Sequence, residues 1–251
     1  MTASHLKIAS INIERRTHLS RLLPFLEDQA ADVICLQELE AQDLELFSTR
    51  LNVPHVHFVP MCRHPNARDI GSFGVAVLSK PQLLNPQTLH YYGKGDGTAI
   101  LDRTSAETRI ETTRFAAAAA FVPLGDTAVM FATTHFPWTP DGEPRPFQFE
   151  AVESLMSMTD AAAADHPLVL TGDFNAPRGG PIFGRLAAHY RDNIPAHVTS
   201  SLDPDLHRAA PLELMVDGVF SNARCTVSDV ALHTGVSDHQ AVTATLHLPA
   251  R

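Results

Sequence analysis

Seven short runs rich in aliphatic and β-branched residues punctuate this chain, at residues 6–13 (LKIASINI), 31–39 (ADVICLQEL), 72–80 (SFGVAVLSK), 127–136 (TAVMFATTHF), 167–174 (PLVLTGDF), 214–221 (LMVDGVFS) and 239–248 (HQAVTATLHL). They are too short for core helices and too apolar for loops, so they read as buried strands. Strands of this kind need cover, and the segments between them supply it. FQFEAVESLMSMTDAAAAD (147–165) is the clearest helix, and THLSRLLPFLEDQA (17–30) sets Leu19, Leu22, Leu23 and Leu26 at helical spacing with Thr17 as its cap. Pro24 within it makes that helix short, kinked or late in starting. FAAAAAF (115–121) is helical by composition, yet Thr112, Thr113, Val122 and Pro123 around it favour a strand with small side chains. Strands alternating with helices predict an α/β fold.

A chain of 251 residues with 44% hydrophobic content can bury a large core, and a single domain spanning residues 1–251 is expected, with no repeat or long linker to divide it. The start MTASHLKIASINIE lacks a basic region leading into an apolar one, and no window reaches the roughly 18 apolar residues of a membrane span. Cys35, Cys62 and Cys225 are odd in number and far apart, which fits neither a disulfide framework nor paired zinc knuckles. A cytoplasmic protein with no membrane partner is expected. The net charge of −9 disfavours a protein that depends on long tracts of nucleic acid, whose affinity comes mainly from Lys and Arg on phosphates.

Polar residues recur where the apolar runs end. Asn12 and Glu14 fall at the end of the first run, Gln37 and Glu38 at the end of the second; His135 falls at the end of a third, Asp173 and Asn175 close a fourth, Asp217 lies within a fifth, and Asp238 with His239 opens the last. Strand ends and the loops after them are where α/β proteins build sites. Hard oxygen donors with few thiols suit Mg²⁺, or alternatively Mn²⁺, rather than zinc. Such a cation keeps positions open for a phosphate oxygen, and a histidine held by a carboxylate can trade protons near neutral pH. Taken singly, each residue also has a plainer reading: Asp173 as a turn former, Glu38 as a solvated charge, His239 as a satisfied strand histidine.

In order and spacing, INIE, LQE, GVAVLSK, TTHF, GDFN, VDGVF and SDHQAV resemble the endonuclease/exonuclease/phosphatase superfamily of Mg²⁺-dependent phosphoesterases, over nearly the whole chain. The resemblance implies a DNase I-like four-layer sandwich of two facing mixed β-sheets flanked by helices. It implies Glu38 as principal metal ligand with Asn12 beside it and Asp238 nearby, and Glu14 as an acidic group behind them. Asp173 is expected to position or deprotonate the attacking water, Asn175 to bind the phosphoryl oxygen, and His239, oriented by Asp217, to contact the scissile phosphate with His135 facing it from the other side. The activity implied is hydrolysis of a phosphoester, in a small or locally recognised substrate. A nuclease of the same superfamily and an inactive binding protein of the same fold are the alternatives.

Other features are less specific. Trp138, the only tryptophan, reads equally as a stacking platform for substrate or a loop anchor. His55, His57, Cys62 and His64 crowd into ten residues and raise a soft-metal site, although alternation on an exposed strand explains them too. FVPMC is at most half of an apolar membrane-docking hairpin. YYGKGDG (91–97) reads as a mobile loop, and Arg63, Arg68, Arg103 and Arg145 fall in expected loops where they could hold a second substrate charge.

Overall fold

The apolar runs pair into two sheets. In chain order the elements are β1 (His5–Asn12), α1 (Leu19–Gln29), β2 (Val33–Glu40), α2 (Leu44–Arg50), β3 (His55–Pro65), β4 (Ile70–Ser79), β5 (Leu84–Tyr92), α3 (Ala106–Thr112), β6 (Phe115–Leu124), β7 (Thr127–His135), α4 (Pro146–Ala163), β8 (Leu168–Asp173), α5 (Pro181–His189), β9 (Arg191–Asp192), β10 (Asp217–Ser221), β11 (Thr226–His233) and β12 (Ala241–His247). This is a computed structural model, and it describes residues 5–65, 70–209 and 212–249, with no side-chain description at 65 and 70. One sheet runs β11-β12-β1-β2-β4-β3 and the other β5-β6-β7-β8-β10-β9. The central pair of each, β1 with β2 and β7 with β8, is parallel; the other strand pairings are antiparallel.

Alternation along the strands sets the layers. Leu6, Ile8, Val33, Cys35, Val75 and Val77 of the first sheet share a core with the second, whereas Ala9, Ile11, Ile34, Leu36, Ala76 and Leu78 point the other way onto Leu22 and Leu26 of α1 and Phe47 of α2. On the far side, Ala151, Val152 and Leu155 of α4 and Ile182 and Phe183 of α5 join the core of the second sheet. The result is the four-layer sandwich expected. Residues 115–121 are indeed strand: Ala116 to Ala120 are all buried in β6, where packing on both faces overrides helix propensity. Among the described residues no helix is long and apolar enough to cross a membrane.

Several boundaries differ from the sequence reading. α1 is short, as Pro24 within it implies, but His18, not Thr17, precedes its first residue, without a side-chain cap. The cause is a tight turn in which the Thr17 N–H donates to Glu14 O, placing Thr17 one position too early. The run 214–221 enters the sheet only at Asp217, because the carbonyls of Leu214, Met215 and Val216 accept from Ser201, Arg178 and Phe174 instead. Glycines of 91–97 serve close packing: a Cβ on Gly93 would stand 2.1 Å from Thr113 O. Arg63 lies in β3 and is not a loop residue; Arg145 ends the loop before α4, where it is paired with Asp141; Arg68 falls outside the described residues.

Gly172 has a consequence for both fold and site. A Cβ there would meet Thr134 O at 2.1 Å, and Thr134 pairs with Gly172 in the parallel register that sets His135 beside Asp173. A backbone carbonyl in the middle of a sheet cannot step aside. Gly172→Ala is therefore expected to cost about 2–4 kcal/mol in urea unfolding. A change under about 0.5 kcal/mol, the scale of a neutral surface substitution, would mean the strands part freely.

Candidate active site

The two parallel pairs end at one place. Asn12 pairs with Gln37 in the first sheet and His135 with Asp173 in the second, while Asp217 stands opposite Asp173 across the β8–β10 ladder. Strand register thus brings His135, Asp173 and Asp217 together in the second sheet, and the facing of the two sheets adds Asn12, whose amide bonds Asp173. Glu38 needs a further device: the β2–β4 register slips between Leu36 and Leu39, and Glu38 takes φ +60°. A bulge re-aims a side chain in this way. The neighbouring Gln37 is buried and spans the sheets to Thr133 Oγ1 (2.7 Å).

Asp173 is the hub. Its Oδ2 accepts from Asn12 Nδ2 (3.0 Å) and lies 3.5 Å from His135 Nε2 and 3.7 Å from His239 Nε2, while its Oδ1 accepts from the Asn175 N–H (2.8 Å). That last bond is an Asx turn, which explains why the loop after β8 begins with an Asp and an Asn two positions apart. Asn175 sits at φ +47° and donates one amide hydrogen to Phe136 O (2.9 Å), leaving the other free to donate. His239 Nδ1 donates to Asp217 Oδ2 (2.8 Å), and His135 Nε2 is also 3.9 Å from Glu38 Oε1.

Charge follows from this crowding. Burial, then the Asp238 and Asp173 carboxylates, raise the Glu38 carboxyl to about 7 against the opposing pull of His239 and Arg15. Burial lowers His135 below the ordinary imidazole range. Burial would lower His239 as well, but Asp217, then Asp173, outweigh it and hold this imidazole charged well above its usual range. One face of the site therefore carries a neutral histidine and the other a cationic one.

Behind these residues stands a supporting layer. Asn12 Oδ1 accepts from the Glu14 N–H (3.1 Å), and the Glu14 carboxylate pairs with His18 (3.0 Å) and with Arg208. Ser201 Oγ accepts from the N–H groups of Val216 and Asp217, and Asp203, buried, accepts from Asp205, Leu206 and Gly235 while its own N–H donates to Asp238 O. Three residues near the site carry no strand-end signal in the sequence. His207 has a ring centroid 6.1 Å from that of His239 and contributes with Asp238 and His239 to a set of mutually close ligand atoms. Arg103 and Arg109, before and within α3, line a cavity together with Glu38 and His135. Trp138 lines that cavity and also a second one bounded by Asn175 and His239.

The donor set fits a hard divalent cation. The Asp238 and Asp173 carboxylates lie in electrostatic range of Glu38, and among the described residues the sets of three close ligand atoms draw on Asp238, Asp173 and their neighbours but not on Glu38. No thiolate is at hand: the Cys62 thiol is pushed up to about 12 by burial and by Glu38. Among the described residues, no set of three close ligand atoms includes His55, His57, Cys62 or His64. His57 bonds instead to Gln87 O (2.8 Å) on a half-buried edge strand.

The chain matches the model of the Endonuclease/Exonuclease/phosphatase family over residues 9–239. No curated protein matches it. Similar solved structures include an endonuclease/exonuclease/phosphatase from Beutenbergia cavernae (TM-score 0.72, 16% identity, 98% of this chain and 72% of that one). The human Nocturnin catalytic domain with bound sulfate is similar at TM-score 0.71 and 16% identity, over 98% of this chain and 94% of that one. A mannosyl-6-phosphatase from Bacteroides thetaiotaomicron is similar at TM-score 0.66 and 14% identity, over 96% and 99%.

Proposed function

The chain belongs to the endonuclease/exonuclease/phosphatase family, and from that premise we propose that it is a divalent-metal-dependent phosphoesterase built as one catalytic domain. The observation that carries this is Asp173, buried and bonded to Asn12 and Asn175, set between His135 (3.5 Å) and His239 (3.7 Å) with the Glu38 and Asp238 carboxylates in electrostatic range. Glu38, Asn12 and Asp238 would hold Mg²⁺, with Mn²⁺ the alternative, and the ion when bound supplies charge neutralisation at the phosphoryl oxygens. Asp173, fixed by Asn12 and Asn175, accepts a hydrogen bond from a water and takes up its proton as that water attacks phosphorus in line; the ester P–O bond on the opposite side breaks, and the alcohol oxygen leaves and takes a proton from solvent. The free amide hydrogen of Asn175 and the charged His239 Nε2 donate to phosphoryl oxygens as negative charge builds on them. His135, neutral, completes the cradle from the opposite side. The net charge of −9 supports a small or locally recognised phosphoester over long nucleic acid, with no membrane partner.

A test that does not need turnover uses Glu38. The unfolded chain releases this proton near 4.5 and the folded, metal-free protein holds it to about 7. Between those values the folded state binds more protons, so the stability due to this group is present below the lower value and is lost as pH rises through the upper. Metal-free Tm is expected to fall from pH 5 to pH 8, and less steeply in Glu38→Gln. At pH 8, Mg²⁺ should raise the Tm of the wild type and leave that of Glu38→Gln nearly unchanged. Equal Mg²⁺ stabilisation of both proteins removes Glu38 from the metal site. Hydrolysis of a generic phosphodiester and phosphomonoester, abolished by chelator and restored by Mg²⁺, tests the activity itself.

A further inference from the structure

The cavity lined by Glu38, Cys62, Arg103, Arg109, His135 and Trp138 continues from the reaction centre but contains no group that the hydrolysis described above uses beyond Glu38 and His135. Its distinctive feature is two guanidinium groups that no described carboxylate pairs within 4.0 Å. Among the described residues, neither Arg103 nor Arg109 has an ion pair within 4.0 Å or a side-chain hydrogen bond, although most other arginines here have such a partner. Each nonetheless lies in electrostatic range of Glu38, and Arg109 in range of Arg103. Glu38 turns its oxygen toward His135.

Arg109 is also positioned. Its guanidinium carbon stands 4.6 Å from the centroid of the Trp138 ring. A stacked ring engages the face of the guanidinium and leaves its edge, where the N–H donors point, unsatisfied. The edge of Arg109 and the unpaired guanidinium of Arg103 line one pocket beside Glu38 and His135, and together they are a receptor for an anion that accepts hydrogen bonds from both. The walls are otherwise apolar, from Met61 and Phe115 among others, so the group that enters is small and brings its own charge.

We propose that Arg103, Arg109 and Trp138 form a subsite for a second anionic group of the substrate, a phosphate or a carboxylate, beside the scissile phosphoester. This rests on the phosphoesterase reading for where the scissile group sits, and it narrows the substrate class to esters carrying two negative centres.

Trp138 is the only tryptophan and lines both this cavity and the one bounded by Asn175 and His239, so its fluorescence reports binding at either without any turnover, and the Arg variants tell the two apart. The probes are methylphosphonate (one anionic centre), methylenebisphosphonate and ethylenebisphosphonate (two phosphonates), phosphonoacetate (a carboxylate as the second anion) and a 5′-phosphorylated thymidine dinucleotide, titrated into the full chain with Mg²⁺. Wild type is expected to bind at least one two-centred probe about tenfold or more tighter than methylphosphonate, and Arg109→Gln to lose that advantage while binding methylphosphonate within twofold of wild type. Arg103→Gln, at a more exposed position, should lose part of it and guards against misfolding of the first variant. Which probe shows the advantage identifies the second group as phosphate, carboxylate or a neighbouring nucleotide phosphate. Equal affinity for all probes in wild type, or an advantage that survives both substitutions, overturns the subsite. Hydrolysis assays on the same proteins separate the two readings: bisanion selectivity without turnover keeps the subsite and sinks the phosphoesterase, and turnover without selectivity does the reverse.

Discussion

Asp173→Asn is expected to lower kcat/KM for any phosphoester this protein cleaves by about a thousandfold, within the range that a positioned general base contributes. Asn at this position still accepts the Asn175 N–H through its oxygen, so the Asx turn survives. It then presents an NH₂ group where Oδ2 met Asn12 Nδ2, His135 Nε2 and His239 Nε2, and a water directed at phosphorus finds a donor in place of an acceptor. Removing the charge relieves repulsion on Glu38 but forfeits the buried bond from Asn12 and an attraction on the charged His239, so the variant's Tm is measured beside its activity to show that it is folded. Activity within about threefold of wild type in a folded Asp173→Asn protein would show that the carboxylate is a turn former and nothing more.

The sequence reveals most about what strand periodicity governs. Asn12, His135 and Asp173 are visible as polar residues ending apolar runs; parallel pairing sets His135 beside Asp173, and the facing of the two sheets brings Asn12 to them. Glu38 was visible as a residue but not as a geometry: its aim depends on one extra residue in β2, and a bulge leaves no trace in composition. Asp203 stayed hidden for a different reason. It holds backbone N–H groups at Leu206 and at Gly235, and a partner 32 residues away has no local signature. Arg109 was missed because α3 buries none of its residues and so has no apolar stripe to mark it as a helix. Trp138 could be read as platform or anchor; the structure makes it the shared wall of two cavities.

Asp217→Asn tests the charge state of the other face. His239 keeps its proton because Asp217 at 2.8 Å, helped by Asp173 and Asp238, overcomes a burial that favours the neutral ring. With Asn at 217 the largest of those attractions is gone, and the amide can pair with Nδ1 through its oxygen or, if it turns, present a donor that stabilises the wrong tautomer. The proton that donates to the phosphoryl oxygen is then lost at a lower pH than in wild type. The alkaline limb of the kcat/KM profile should move toward acid, and turnover at pH 8 should fall by about a hundredfold or more, more steeply than at pH 6. The sign is the useful part: a histidine acting as general base, free of its proton, would become active at lower pH in the variant and gain on the acid limb. A profile that drops evenly at all pH values would confine Asp217 to orienting the ring, leaving its charge without a part in the chemistry.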